Sequence, residues 1–202
     1  MNTPGQFPQQ RVGVFVDIQN MYYSARAIYG QKVNFKAILE QAVAGRQLVR
    51  AIAYGITTEE AHEGDFHEAL AGQGFEVKTK PLQTFVGGQK KGDWDIGMAM
   101  DILRLEPKID VAVLVCGDGD FIPLIEFSKE RGLRMEVISF RESTSSALIA
   151  SADSFFDLSS ATSQFLIGES KHVPVRRTSS RPSSGERGGR PAPKRRTPKI
   201  IA

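Results

Sequence analysis

Aspartates recur in this chain at positions where alternating strands and helices would bring carboxylates together. Asp17 closes the apolar run VGVFVD, and Asp118 follows VAVLVCG. Asp120 lies two residues further on in CGDGDF, where Gly117 and Gly119 permit a tight turn that swings both acids toward one cavity. The segment KKGDWDIGMAMD adds Asp93, Asp95 and Asp101. On a helix, residues six apart sit about 120° from each other around the axis, so Asp95 and Asp101 cannot face one point equally, and Asp95, near the helix start, is the better candidate. Four carboxylates packed together repel one another and raise their own pKa values unless a cation neutralises them. All-oxygen ligands select a hard ion, Mg²⁺ or Mn²⁺. Such an ion activates water and stabilises charge on a phosphodiester, so the chemistry that fits is metal-dependent phosphodiester hydrolysis at Asp17, Asp95, Asp118 and Asp120, with Asp101 as a secondary acid.

Each residue also has an ordinary role open to it. An aspartate after a strand commonly serves a turn, Asp120 would cap a helix beginning at Phe121, Asp95 would favour a helix dipole, and Asp101 would be solvated. Asn20 in DIQN either caps the following helix or orients Asp17 or a phosphate oxygen. Trp94 beside Lys90 and Lys91 in a Gly-rich loop either stacks a base while the lysines meet phosphate, or anchors a sheet edge. Other signals fail. His62 and His67 are five apart rather than four, so they miss the metalloprotease pattern and read as exposed histidines. Gly117 and Gly119 form a GxG with neither a third glycine nor a following GKS or GKT. Cys116 reads as a buried, unreactive strand thiol.

These residues need elements to position them. Apolar, β-branched runs at 12–17, 48–55, 74–80, 110–116 and 133–140 predict five strands. Helical patterns lie between them at 21–29, 35–43, 59–70, 95–105 and 121–131, with glycines near their C-terminal ends. A last helix capped by Ser143 or Thr144 and carrying Ala147, Leu148 and Ala150 is expected, with Phe155, Phe156 and Leu158 closing the core. Near-continuous apolar strands alternating with helices predict an α/β fold, a Rossmann-like three-layer sandwich with a mainly parallel sheet. Strand order 3-2-1-4-5 would make the first and fourth strands neighbours at the switch point, where ligands bind outside their carboxyl ends.

Charge divides the chain. The 202 residues carry a net +3, but residues 171–202 hold ten Lys and Arg against Glu186 alone, leaving the remainder at −6. The expected organisation is a disordered N-terminus at 1–10, a folded acidic domain at 11–168 and a disordered Arg/Ser/Pro-rich basic tail at 169–202, which lacks apolar residues to offset the entropy of ordering. Such a tail attracts polyanions, nucleic acid among them, without reading sequence, or tethers a protein partner. A single cysteine and an N-terminus without a signal pattern predict a reducing, cytoplasmic environment. No apolar run approaches the roughly 20 residues that span a bilayer, so no membrane association is expected. A homodimer through an exposed sheet edge or helix is compatible with the sequence.

The stretches VFVDIQNMYY, KGDWDIGMAMDIL, CGDGDFIPLIEFSKERGLRMEVISF and SALIASADSFFDL, in this order and spacing, resemble the NYN domain of the PIN-like nuclease superfamily, and within it the LabA-like branch. The resemblance covers residues 11–160. It implies a PIN-like fold, Mg²⁺ or Mn²⁺, and endoribonuclease activity. By position it implies metal-binding acids at Asp17, Asp95, Asp118 and Asp120, a phosphate-proximal Asn20 and an outer Asp101. Gly119 stands where the pattern G-D-S-D-F has serine. The other reading is a noncatalytic RNA-binding or regulatory module on the same fold. A phosphotransferase of the D-x-D type is disfavoured because the first strand is followed by D-I-Q-N.

Overall fold

The computed structural model describes residues 6–57, 63–84, 90–91 and 93–168. The basic tail, His62 and residues 1–5 lie outside the described residues, as do the side chains of Lys90 and Lys91. In chain order the elements are β1 (Arg11–Asp17), α1 (Ile18–Tyr29), β2 (Lys32–Val33), α2 (Phe35–Val43), β3 (Gln47–Thr57), α3 (Glu63–Gly72), β4 (Glu76–Pro81), β5 (Gln83–Thr84), β6 (Lys90–Lys91), α4 (Asp95–Leu105), β7 (Val111–Val115), α5 (Ile122–Glu130), β8 (Arg134–Ser139), α6 (Ser146–Ser151), β9 (Ser154–Asp157), α7 (Thr162–Phe165) and β10 (Leu166–Ile167). No helix among the described residues is long and apolar enough to cross a membrane.

Six strands form one parallel sheet in the order β4-β3-β1-β7-β8-β9. From β1 the chain works outward to β3 and β4, then returns to β7 on the other side of β1 and works outward again. The reversal therefore falls between β1 and β7, whose register runs from Val12 opposite Val111 to Val16 opposite Val115. Because side chains alternate faces, Val12, Val14 and Val16 pack beneath α1 and α2, while Phe15 joins Met98 and Ile102 of α4 and Ile125 of α5 on the other face. Both faces of the central strands are thus dry, which is why the sequence shows unbroken apolar runs there.

Several boundaries differ from the sequence expectation. A sixth strand, β9, pairs with β8 and takes Phe155 and Phe156 into the sheet edge. Each of its four residues is only half-buried, so its pattern carries little strand signal. Residues 6–10 are ordered into a turn: the Gln10 N–H donates to the Phe7 carbonyl at 3.0 Å and the Phe7 N–H to Gln10 Oε1 at 3.0 Å. Neither Ser143 nor Thr144 caps α6. Both hydroxyls donate instead to the Phe140 carbonyl across a 3₁₀ turn at Arg141–Ser143, and Ser145 takes the cap position. His67 is half-buried rather than exposed, its Nε2 lying 3.3 Å from where a Cβ on Gly55 would sit.

One ion pair is buried on the α2 side of the sheet. Arg46 donates through Nη2 to Glu136 Oε2 at 2.9 Å and to the Ala42 carbonyl at 2.7 Å, tying the turn after α2 to β8. Glu136 also accepts from Arg134 Nε at 2.9 Å. Glu136→Leu strands the buried guanidinium and is expected to cost about 3–5 kcal/mol in urea unfolding, most of it recovered when Arg46→Met is added.

Candidate active site

The reversal between β1 and β7 places two strand ends side by side, and the acids cluster at those ends. Asp17 is the last residue of β1 and also the N-cap of α1, its Oδ1 accepting from the Asn20 N–H at 2.9 Å. Asn20 itself reaches across the reversal: its Oδ1 accepts from the Gly117 N–H at 3.0 Å, so it ties the start of α1 to the turn after β7. That contact is neither of the roles the sequence left open for its amide.

Asp118 rather than Asp120 caps the turn after β7, accepting from the Asp120 N–H at 3.0 Å through Oδ1. Asp120 is thereby released from capping and α5 begins two residues later, at Ile122. One carboxylate oxygen each from Asp95, Asp118 and Asp120 lies within 4.8 Å of the others. Asp95 enters from the first turn of α4. Asp17 sits behind this trio, near enough for its charge to interact with Asp95 and Asp118.

The electrostatics follow from crowding and burial. Burial pushes the Asp17 carboxyl up to about 6, and the charges of Asp95 and Asp118 add to the rise despite the Asn20 hydrogen bond. Burial, then the charges of Asp93, Asp118 and Asp120, raises Asp95 as well, while Lys80 opposes the shift. The donor set consists of carboxylate oxygens at a spacing that a hard divalent cation would draw together, so the residues fit Mg²⁺ or Mn²⁺.

Asp101 stands apart from the trio. Its Oδ2 accepts from Lys78 Nζ at 2.7 Å and from the Tyr54 hydroxyl at 2.9 Å. Burial would raise its carboxyl, but these two donors hold it below the usual carboxylate range. Trp94 anchors the sheet: its Nε1–H donates to the Gly55 carbonyl at 2.7 Å, and its ring centroid lies 5.3 Å from that of Tyr54.

Of two further neighbours of the site, Cys116 is the buried thiol that the sequence indicates, and Ser145 escapes sequence reasoning. Cys116 is buried at the floor, with Sγ 4.0 Å from Asp17 Oδ2 and accepting from the Asp118 N–H at 3.4 Å. Burial and then the Asp17 charge push its thiol up, which keeps it protonated. Ser145 covers the turn: a Cβ on Gly119 would sit 3.1 Å from its Oγ, so the hydroxyl missing at position 119 is replaced in space by one from the start of α6. Gly117 is equally confined, since a Cβ there would meet the Ser143 carbonyl at 2.8 Å. Neither contact has a local sequence signal, because both partners come from beyond β8.

The NYN domain family model matches residues 11–159. The "Low amplitude and bright protein LabA" of Synechococcus elongatus is 28% identical over 161 residues, spanning 75% of this chain and 86% of that protein. An uncharacterised protein of Methanocaldococcus jannaschii is 39% identical over 88 residues, which cover 43% of this chain and 32% of that one. The crystal structure of a protein of unknown function from Vibrio parahaemolyticus is similar with a TM-score of 0.72 and 33% identity, covering 83% of this chain and 100% of that one.

Because the Asp17 carboxyl titrates near 6 in the fold and near 3.9 when unfolded, the folded state binds the extra proton between those values. Stability of chelator-treated protein therefore falls as pH rises from about 4 to about 6, by up to ~3 kcal/mol from this group. Asp17→Asn keeps the cap acceptor and removes the charge, so thermal melts should show it more stable than the parent at pH 7.5 in EDTA, with the difference gone at pH 4.

Proposed function

The chain belongs to the NYN domain family, and from that premise we propose that it is a metal-dependent ribonuclease, an endoribonuclease, hydrolysing RNA phosphodiester bonds at the acidic crevice between β1 and β7. The observation that carries this reading is the convergence of Asp95, Asp118 and Asp120 within 4.8 Å, with Asp17 behind them. Polyanion binding alone does not account for it. Four acids in a crevice repel RNA, and burial, with the neighbouring charges adding to it, already disfavours ionisation of Asp17 and Asp95. Asp95, Asp118 and Asp120, with Asp17 as inner support, would hold a Mg²⁺ or Mn²⁺, which when bound would supply Lewis acidity and a water of lowered pKa.

The remaining work falls to the chain's own groups. Asp118 keeps its position because its Oδ1 is fixed by the Asp120 N–H. Asn20 holds the turn after β7 against α1, so Asp17 and Asp118 stay in register. Cys116 and the apolar strand ends close the floor of the site, which strengthens charge interactions at its mouth. The basic residues of 171–202 add sequence-independent attraction for RNA, an affinity that falls with salt.

The test uses internally labelled single-stranded RNA with Mn²⁺, Mg²⁺ or EDTA, resolved on a denaturing gel. Internal cuts are expected with either metal and none in EDTA. Asp118→Asn is expected to lower the rate about 100-fold or more, as loss of one stabiliser of developing charge does, while RNA binding persists. Cleavage that survives EDTA or the substitution overturns the reading. Salt-sensitive RNA binding without cleavage by the parent chain replaces it with a noncatalytic RNA-binding module.

A further inference from the structure

We infer that Lys80, seated on the indole of Trp94, is a phosphate-binding residue for single-stranded RNA on the β4 side of the acidic crevice, and that Trp94 is its platform rather than a surface for stacking bases. The identity of the ligand rests on the ribonuclease reading; the site itself rests on geometry.

In the parallel pairing of β3 with β4, Tyr54 stands opposite Lys78 and Ile56 opposite Lys80, so the two lysines, two residues apart, project from the same face of the edge strand. Their fates differ. Lys78 is consumed by Asp101 at 2.7 Å. Lys80 has no carboxylate within 4.0 Å among the described residues, and its Nζ lies 4.9 Å from the centroid of the Trp94 ring. The indole is fixed on its other contacts: Nε1–H is bonded to the Gly55 carbonyl, Tyr54 lies alongside, and Gly97 abuts the six-membered ring so closely that a Cβ there would fall 2.6 Å from it.

The platform is one residue from Asp95, and the Lys80 charge acts on the Asp95 carboxylate without an ion pair to it. An ammonium left beside a cluster of acids yet resting on an aromatic face holds its seat weakly, since an exposed cation–π contact is worth only about 0.5–1 kcal/mol. A phosphodiester arriving at the crevice offers a full negative charge, and a lysine is a compact, mobile point charge suited to it. Contact to phosphate positions a strand without reading its bases. A base, by contrast, would have to displace Lys80 from the indole.

Trp94 is the only tryptophan of the chain, so its emission reports this site alone. The experiment titrates the full chain, carrying Asp118→Asn to keep the probe intact, with eight-nucleotide oligo(rU), oligo(rA) and an abasic ribose-phosphate oligomer of the same length. All three are expected to change Trp94 emission alike. Adding Lys80→Met should remove the change, weaken binding about three- to tenfold at low salt, and lower the slope of log K against log salt by about 0.7, while Lys80→Arg retains binding. An emission change confined to oligomers that carry bases overturns the inference in favour of stacking. Unaltered affinity and salt slope in Lys80→Met overturn it too, with RNA binding and the ribonuclease reading left standing. Failure of the parent chain to bind any of the oligomers overturns both.

Discussion

The side-by-side parallel pairing of β1 with β7 is the constraint from which the site follows. The two strands are separated by more than ninety residues of chain, yet their ends are held level by a register that runs without interruption from Val12 opposite Val111 to Val16 opposite Val115. Between them the chain passes through α1 and α2 on one face of the sheet, where Arg46 reaches β8, then through β3 and β4, and returns through α4. The helices that follow the two strands therefore diverge, opening a crevice at the strand ends, as in other doubly wound sheets. Asp17 ends β1 and Asp118 lies in the turn three residues past the end of β7, so the topology brings them to the same side of the sheet. Burial of Val14, Phe15, Val113 and Leu114 makes that register hard to slip, because a shift by one residue would exchange the contents of the two cores.

That arrangement is electrostatically costly. In this crevice burial and like charge act in the same direction on Asp17 and Asp95, and the hydrogen bond from Asn20 only partly offsets them at Asp17. Elsewhere the fold pairs its acids conventionally: Glu136 with Arg46 and Arg134, Asp110 with Arg11, Asp157 with Arg141 and Asp101 with Lys78. The contrast separates acids that serve the scaffold from acids that serve the crevice. Asp101 belongs to the scaffold by this criterion. It links α4 to β3 and β4 through Tyr54 and Lys78, and so fixes the helix that presents Asp95.

The turn after β7 is shaped by what its glycines leave out. Gly117 and Gly119 are packed under the segment that follows β8, with the Ser143 carbonyl over one and Ser145 over the other. The Ser145 N–H also donates to the Gly117 carbonyl at 3.1 Å. The acidic turn is thus clamped between α1, through Asn20, and the start of α6, through Ser145. Rigid support of this kind keeps charged groups close without a compensating partner of their own.

Much of this is legible in the sequence. The apolar runs mark β1, β3, β7 and β8 because both faces of a central parallel strand are buried, whereas β4, at 76–81, is an edge strand without a buried residue; α2 and α4 fall on the residues that their periodicity indicates. The acids at the strand ends were legible for the same reason: a polar residue directly after an unbroken apolar run can only lie at the edge of the sheet. What the sequence alone determined was therefore the alternation of elements and which carboxylates stand at their ends. The edge strand β9, the turn at 6–10 and the start of α6 were not legible, because half-exposed elements carry weak periodicity and a serine beside two other hydroxyl residues does not announce which one caps. Tertiary structure alone decided that Asp101 pairs with Lys78, that Trp94 carries Lys80, that Asn20 bonds to Gly117 and that Ser145 covers Gly119. Each of these contacts joins residues distant along the chain through side-chain direction and strand register, and neither quantity is encoded in the local pattern of residue types.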